Sequence, residues 1–151
     1  MSDRRPTEAT VQRLLPAPPD VVFDEWIDPD AFSQWMCPRP ARARSIELDP
    51  TVGGRLRIDI QEHDIEFFVT GRYLEIDRPR LLSFTWSCST WDDPTLQSTV
   101  TVTFEPYDEA TTVMTIIHTL LPPELVADHE RGWVLIATQL EDSLRGLHAD
   151  Q

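Results

Sequence analysis

The chain has 151 residues, 40% hydrophobic and 26% charged, which is ordinary for a folded soluble protein. Its 26 acidic and 13 basic side chains give a formal net charge of −13. The electrostatic field of a negatively charged protein opposes binding to nucleic-acid phosphates and to anionic membrane surfaces. No stretch approaches the roughly 20 apolar residues of a membrane span. Composition thus excludes nucleic-acid binders and membrane-spanning proteins.

Cysteine usage and the polar N-terminus favour a cytoplasmic protein. Cys37 and Cys88 are too few for a disulfide framework and lack C-x-x-C spacing. Residues 1–8 carry no apolar run, so we expect a flexible tail there and no signal peptide. The length predicts a single domain over residues 9–147.

The first third of the chain predicts one strand and two short helices. Residues 10–15 form the strand, and Asp20 is placed to cap a helix that runs to Ile27. Asp28-Pro29 starts a second helix over residues 30–35. The segment 36–44 is predicted to be a loop.

From residue 45 the apolar side chains recur at every second position, which is typical of half-buried strands. Six such segments follow, separated by the Gly53-Gly54 turn, an acidic tip at 61–64, and turns or loops at 77–79, 89–96 and 106–110. Short connections between successive strands favour an antiparallel meander.

Residues Pro122 to Leu147 predict one long amphipathic helix. Its two prolines suit the first turn, and Gly146 is a stop signal. A single apolar stripe runs along it: His129, Trp133, Ile136, Leu140 and Leu144. This stripe and the apolar face of the sheet must cover each other, which predicts an α+β fold.

Several short phrases occur in a fixed order along the chain. They are residues 18–26, Asp28-Pro29, Trp35, Gly53-Gly54-Arg55, 69–76, 82–86, 99–104, His118, His129 and Gly132-Trp133. Together, from about Thr10 to Gly146, they resemble the START-like (SRPBCC) superfamily, and within it the Hsp90-ATPase-activator-like (AHSA1) branch. The resemblance implies a helix-grip fold. In that fold a curved seven-stranded antiparallel sheet, two short helices and a long C-terminal helix enclose a cavity.

The chain departs from that family pattern at two places. Met36-Cys37 stand where many relatives have a second tryptophan after Trp35, which is expected to reshape the entrance of the pocket. Residues 119–121 replace a glycine that often follows the histidine of the last strand, and this leaves the local turn geometry open.

The inward strand positions and the helix stripe form the candidate ligand-binding set. They are Phe84, Trp86, Met114, Ile116, His118, Trp133, Ile136 and Leu140. An apolar cavity with a few polar groups is the usual design of a small-molecule site, although the same side chains also suit a filled core. His118 is in register with the inward residues, so its imidazole needs a hydrogen-bond partner in a neighbour, a water or a ligand.

Motifs of known catalytic and metal centres are absent from the sequence. The five glycines form no phosphate-binding loop, and the four histidines lack metal-ligand spacing. No catalytic residue, metal or cofactor is therefore predicted. Cys37 is expected to be exposed but has no visible source of a lowered pKa. Arg55 and Arg57 are expected on the outer face, solvated or paired with carboxylates, with anion binding as the alternative.

Three functions are compatible with these observations. The first is a module that binds a hydrophobic aromatic, polyketide-like or lipid-like small molecule. The second is a polyketide cyclase or aromatase that uses His118 as a general acid or base. The third, implied by the family resemblance alone, is binding to Hsp90. It ranks last because such activators carry a further domain that precedes this one. A homodimer is left open.

Overall fold

The structure is a computed structural model that describes residues 7–93 and 95–149. Residues 1–6 of the expected tail lie outside the described residues. The elements of the described chain are β1 (Ala9–Leu15), α1 (Pro19–Ile27), α2 (Pro29–Ser33), β2 (Arg42–Leu48), β3 (Arg55–Glu62), β4 (Ile65–Asp77), β5 (Leu81–Cys88), β6 (Ser98–Asp108), β7 (Thr111–Thr119) and α3 (Pro123–Ala149).

The seven strands form one antiparallel sheet in the order β1-β7-β6-β5-β4-β3-β2. β1 and β2 are its two edges. The pairing shifts register within β2, β4 and β6, and an extra residue at such a place bends a strand. The expected α+β helix-grip fold is confirmed.

The aromatic residues of α1 and α2 pack together at one end of the sheet. The ring centroids of Trp26 and Trp35 lie 5.0 Å apart, and those of Trp26 and Trp133 lie 6.3 Å apart. All three side chains are buried, and Phe84 and Phe104 of the sheet contact Trp26 as well. The two short helices therefore close one end of the core with rings in edge-on, tilted and stacked contacts.

The C-terminal half of α3 is fixed to β1. Leu140 and Leu144 of the apolar stripe are fully buried. At the margin of the same contact, the Arg13 guanidinium donates to Glu141 at 3.0 Å and to Thr138 Oγ1 at 2.7 Å. This half of α3 is held by both apolar packing and a charged hydrogen bond.

The helix termini correct several sequence predictions. Asp20 does not cap α1, because Pro19 already occupies the first helical position and Pro18 is the cap residue. Asp28 does cap α2, accepting hydrogen bonds from the amides of Asp30 and Ala31, but that helix ends earlier than predicted, at Ser33.

α3 begins at Pro123, one residue later than predicted, and runs through Gly146 to Ala149. A glycine inside a helix costs only about 1 kcal/mol, which the buried turns before it outweigh.

Several strands are longer than their apolar patterns indicate. β3 runs to Glu62 and β4 begins at Ile65, so only residues 63–64 of the predicted acidic tip form the turn. β2 begins at Arg42, inside the predicted loop, and β6 continues through Pro106 to Asp108, inside the predicted turn. Both extensions consist mainly of exposed side chains. Backbone pairing therefore continues where the apolar alternation that reveals a strand is missing.

The turn between β7 and α3 contains Leu120 in the left-handed region, with φ of 61°. Glycine adopts that conformation at no steric cost, whereas a residue with a Cβ atom does not. The side chain of Leu120 is 64% exposed, so no burial offsets the strain.

Candidate functional site

A cavity of about 530 Å³ lies between the sheet and the N-terminal half of α3. β3, β4 and β5 form one wall, α3 the second, and the loop after α2 the third. The apolar and sulfur-containing lining consists of Met36, Cys37, Ala41, Ile58, Ile60, Phe67, Val69, Trp86, Cys88, Trp91, Leu125, Trp133, Leu135 and Ile136. Its rim includes the exposed residues Arg39, Thr90 and Asp128, so the cavity is accessible from solvent.

Two indole rings form the inner end of this cavity. The centroids of Trp86 and Trp133 are 5.4 Å apart, and both side chains are at least 91% buried. Large rigid rings at the end of an apolar cavity offer flat surfaces on which an aromatic ligand can stack.

His118 lies behind these indoles, fully buried, and both of its ring nitrogens are hydrogen-bonded. Trp133 Nε1 donates to His118 Nδ1 at 3.0 Å. Because an indole N–H can only donate, Nδ1 is the acceptor and the proton is on Nε2. Nε2 then donates to Ser98 Oγ at 2.6 Å, and Ser98 in turn donates to the carbonyl of Trp86 at 2.8 Å. The network is satisfied without a water or a ligand.

The surroundings of His118 keep it neutral. Burial, and to a smaller extent the neighbouring His129, lowers the pKa of His118 to about 3. An imidazole whose two ring nitrogens are both hydrogen-bonded within the protein, and whose pKa lies this low, is poorly placed to exchange protons with a substrate near neutral pH.

His129 is the histidine that lines the cavity. Its Nδ1 is 2.9 Å from the carbonyl of Leu125 one turn earlier, and a carbonyl only accepts, so Nδ1 carries the proton. Nε2 is thereby left with a free lone pair, and no described residue donates to it. The ring also contacts Trp91 and His118, with centroids 5.8 and 5.1 Å away.

Burial lowers the pKa of His129, while its hydrogen bond to Leu125 and the charge of Asp128 raise it in part. The group at the cavity wall is therefore a neutral imidazole with one acceptor nitrogen.

The thiol of Cys37 also lines the cavity, but it is 6% exposed rather than exposed as expected. Burial raises its pKa to about 12, which makes it a weak nucleophile. The expectation of exposure is wrong because the loop after α2 folds under α3.

One side chain holds that loop against the helix. Gln139 of α3 donates to the carbonyls of Trp35 and Cys37 at 2.9 and 2.8 Å, and accepts from the amide of Arg39 at 2.9 Å. Its amide thus satisfies three backbone groups and fixes the third wall of the cavity. Sequence reasoning missed Gln139 because it lies beside the apolar stripe.

Of the eight predicted ligand-binding residues, three line the cavity: Trp86, Trp133 and Ile136. Phe84, Met114, Ile116, His118 and Leu140 are buried in the core outside it. Those five belong to β5, β7 and the C-terminal half of α3. Whether the three cavity residues contact a ligand stays a prediction.

The residues that the prediction lacked come from the loop after α2, from β3 and β4, from the end of β5 and the loop after it, and from α3. Ile58, Ile60, Phe67 and Val69 all line the cavity. Their alternation was visible in the sequence, but nothing in it separates an inward residue that borders a cavity from one that borders another side chain. Met36 and Cys37 line it too.

The described residues contain no cluster of three or more histidine, cysteine or acidic side chains that could hold a metal ion. No helix of the described chain is both long and apolar enough to cross a membrane.

A long helix laid across an antiparallel sheet, with an apolar cavity beneath one half, defines a helix-grip protein. The sequence matches the family model described as "Activator of Hsp90 ATPase homolog 1-like protein" over residues 16–145, so the chain belongs to that family. No curated protein matches it.

Solved structures share the fold. A protein from Arthrobacter aurescens is 24% identical, with a TM-score of 0.82 and coverage of 97% of this chain and 90% of that one. A protein from Nitrosomonas europaea is 23% identical, with a TM-score of 0.81 and coverage of 98% and 99%. CalU16 from Micromonospora echinospora is 17% identical, with a TM-score of 0.69 and coverage of 91% and 75%. At these identities the likeness concerns the fold alone.

Proposed function

We propose that the chain binds a hydrophobic small molecule, aromatic, polyketide-like or lipid-like, in the cavity beneath the N-terminal half of α3. The observation that carries the proposal is an apolar cavity of about 530 Å³ whose lining includes His129, with its Nδ1 engaged by Leu125 and its Nε2 left to accept. Pockets for drug-sized ligands span roughly 300–1,000 Å³ and combine apolar walls with a few placed polar groups. We further propose that residues 9–147 act as one domain, and that the free thiols Cys37 and Cys88 suit the cytoplasm.

The apolar walls supply affinity and the imidazole supplies selectivity. Removing apolar surface from water contributes roughly 25 cal/mol per Å², and the indole rings of Trp86 and Trp133 add stacking surface. Because His129 Nε2 can only accept in its neutral form, it favours a ligand with a hydroxyl or phenol donor. An unsubstituted hydrocarbon would leave this nitrogen without a partner.

The geometry favours binding over a cyclase that relies on His118. Both nitrogens of that ring are engaged in the network with Trp133 and Ser98, and the two indoles separate it from the cavity. No specific observation favours Hsp90 binding. A protein that only carries or senses a small molecule needs the cavity and its rim, and no further site.

Native mass spectrometry and thermal-shift screens over flavonoids, aromatic polyketides and fatty acids test the proposal. A binding compound should raise the melting temperature, and its hydroxylated form should bind more tightly than its deoxy analogue. In His129→Ala that preference should fall about tenfold, as expected for one lost hydrogen bond. His63→Asn, which removes an exposed imidazole from the β3–β4 turn, is the matched control.

Cys88 offers a second readout because it lines the cavity and is only half-buried. A bound ligand should slow its alkylation in a Cys37→Ala background. Failure of every compound class to shift the melting temperature or to protect Cys88 would refute the proposal.

A further inference from the structure

A second depression, of about 260 Å³, lies on the outer face of the sheet. It is lined by Arg55, Thr70, Gly71, Arg72, Thr85 and Gln97, from β3, β4, β5 and the loop before β6. Arg55 alternates with the inward Leu56, so this surface faces away from the ligand cavity. The proposed small-molecule function uses none of these residues.

Two cations face each other across strands in this depression. In the pairing of β3 with β4, Arg55 is directly opposite Arg72. Directly opposed residues of an antiparallel pair have Cβ atoms about 5 Å apart, and like charges at such positions destabilise the sheet. The arrangement therefore has an electrostatic cost that an anion between the two side chains would remove.

Acidic side chains could have compensated these charges, since the chain has 26 of them against 13 basic ones. Among the described residues, however, no carboxylate forms an ion pair with Arg55 or Arg72. The nearby Arg57 shows the contrast, because Asp59 pairs with it at 2.9 Å on the same face.

Arg72 is also held in place. Its Nη1 donates to the carbonyl of Gly53 at 3.0 Å, and its backbone amide donates to Thr85 Oγ1 at 2.9 Å. The Thr85 hydroxyl accepts that bond and keeps its own proton to donate. The depression thus presents two guanidinium groups, threonine hydroxyls and the Gln97 amide, all of which are hydrogen-bond donors.

We propose that this depression is a binding site for a phosphate group carried by a soluble molecule. Guanidinium forks match the oxygens of a tetrahedral oxyanion, and hydroxyl and amide donors complete its coordination. The net charge of −13 repels an anionic membrane surface, which favours a soluble source over a lipid headgroup.

Inorganic phosphate is the probe for the test. It is titrated into the intact chain at constant ionic strength, with chloride exchanged for phosphate, while amide chemical shifts are followed by NMR. We expect saturable shifts that centre on residues 55, 70–72, 85 and 97. Arg55→Gln and Arg72→Gln should each weaken the binding about tenfold or more, since each removes hydrogen bonds to a charged group.

Arg80→Gln is the matched control, because it removes the same charge from an exposed turn residue that is paired with Asp77. It should bind phosphate like the parent chain. Thermal melts give a second readout: without phosphate, Arg55→Gln should be at least as stable as the parent, and it should lose the stabilisation by phosphate. Linear, unsaturable shifts, or equal affinity in the two arginine variants and the control, would overturn the proposal.

Discussion

The two halves of α3 lie on the same sheet but make different contacts with it. The C-terminal half, with Leu140 and Leu144, packs fully against the core and is fastened to β1 through Arg13. The N-terminal half, with His129 and Ile136, leaves a cavity above β3, β4 and β5. Both halves carry apolar residues at the same helical spacing. The difference shows that the position of the opposite strands, and not the apolar stripe, decides where a cavity forms.

Trp133 lies in the N-terminal half, at the inner end of the cavity, and its truncation should have the largest effect. Trp133→Ala should lower the free energy of unfolding by about 3–5 kcal/mol, because it removes a buried ring and leaves His118 Nδ1 without a donor. Urea denaturation measures the loss. Val134→Ala, at the neighbouring 42% exposed position, should change stability by less than about 0.5 kcal/mol. A similarly small loss for Trp133→Ala would place that ring in the open part of the cavity.

The comparison of the halves is tested directly by two truncations one turn apart on α3. Leu140→Ala should cost about 2–5 kcal/mol, because it creates a void in a packed core. Ile136→Ala should cost about half as much, because Ile136 already borders the cavity and its removal enlarges an existing space. Equal losses in urea denaturation would mean that the two halves are packed alike.

The buried network on the core side of the indoles predicts a pH dependence. The pKa of His118 is about 3 in the folded chain and about 6.5 when unfolded, so the unfolded state takes up the proton first as the pH falls. The contribution of the neutral, buried His118 to stability is therefore complete above about pH 6.5. Below it, the free energy of unfolding should fall by up to about 1.4 kcal/mol per pH unit until pH 3.

In His118→Gln that slope should flatten between about pH 6 and pH 4.5, whereas His63→Asn should keep it. Denaturation curves at several pH values measure both slopes. Parallel curves for the parent and His118→Gln would show that His118 is already protonated in the folded chain.

The smallest expected effect concerns the turn that leads into the cavity half of α3. Leu120→Gly should stabilise the chain by about 0.5–1 kcal/mol, because glycine adopts the positive φ of this position without strain. Leu120→Ala keeps the Cβ atom and should gain almost nothing. Thermal melts of the two variants distinguish relief of backbone strain from loss of an exposed apolar side chain.

Most of the fold was predictable from the sequence, because it depends on periodic patterns. The alternation from residue 45 onward gives the strands, and the spacing from His129 to Leu144 gives the helix. The start of β2 and the end of β6 were not predictable, because exposed edge and hairpin segments have no apolar pattern to reveal them.

The candidate site was predictable only in part. Trp86, Trp133 and Ile136 could be placed on inward faces, but an inward position looks the same whether it borders a cavity or a neighbour. The roles of the two histidines depend on individual hydrogen bonds, namely Trp133 to His118 and His129 to Leu125. The first joins residues of different elements, whose distance no spacing rule fixes; the second joins residues one helical turn apart, but the sequence does not show that the imidazole makes this bond.

The open edge of the sheet at β2 affects how the molecule behaves among its own copies. The outer edge of an edge strand has unpaired backbone groups and is a template for strand addition. Native proteins counter this with charged side chains and local kinks. β2 has both: Arg42, Arg44 and Glu47 along its length, and a register shift between Ala43 and Ser45. The sheet can therefore keep an open edge at β2, beside the cavity, without aggregating through that edge.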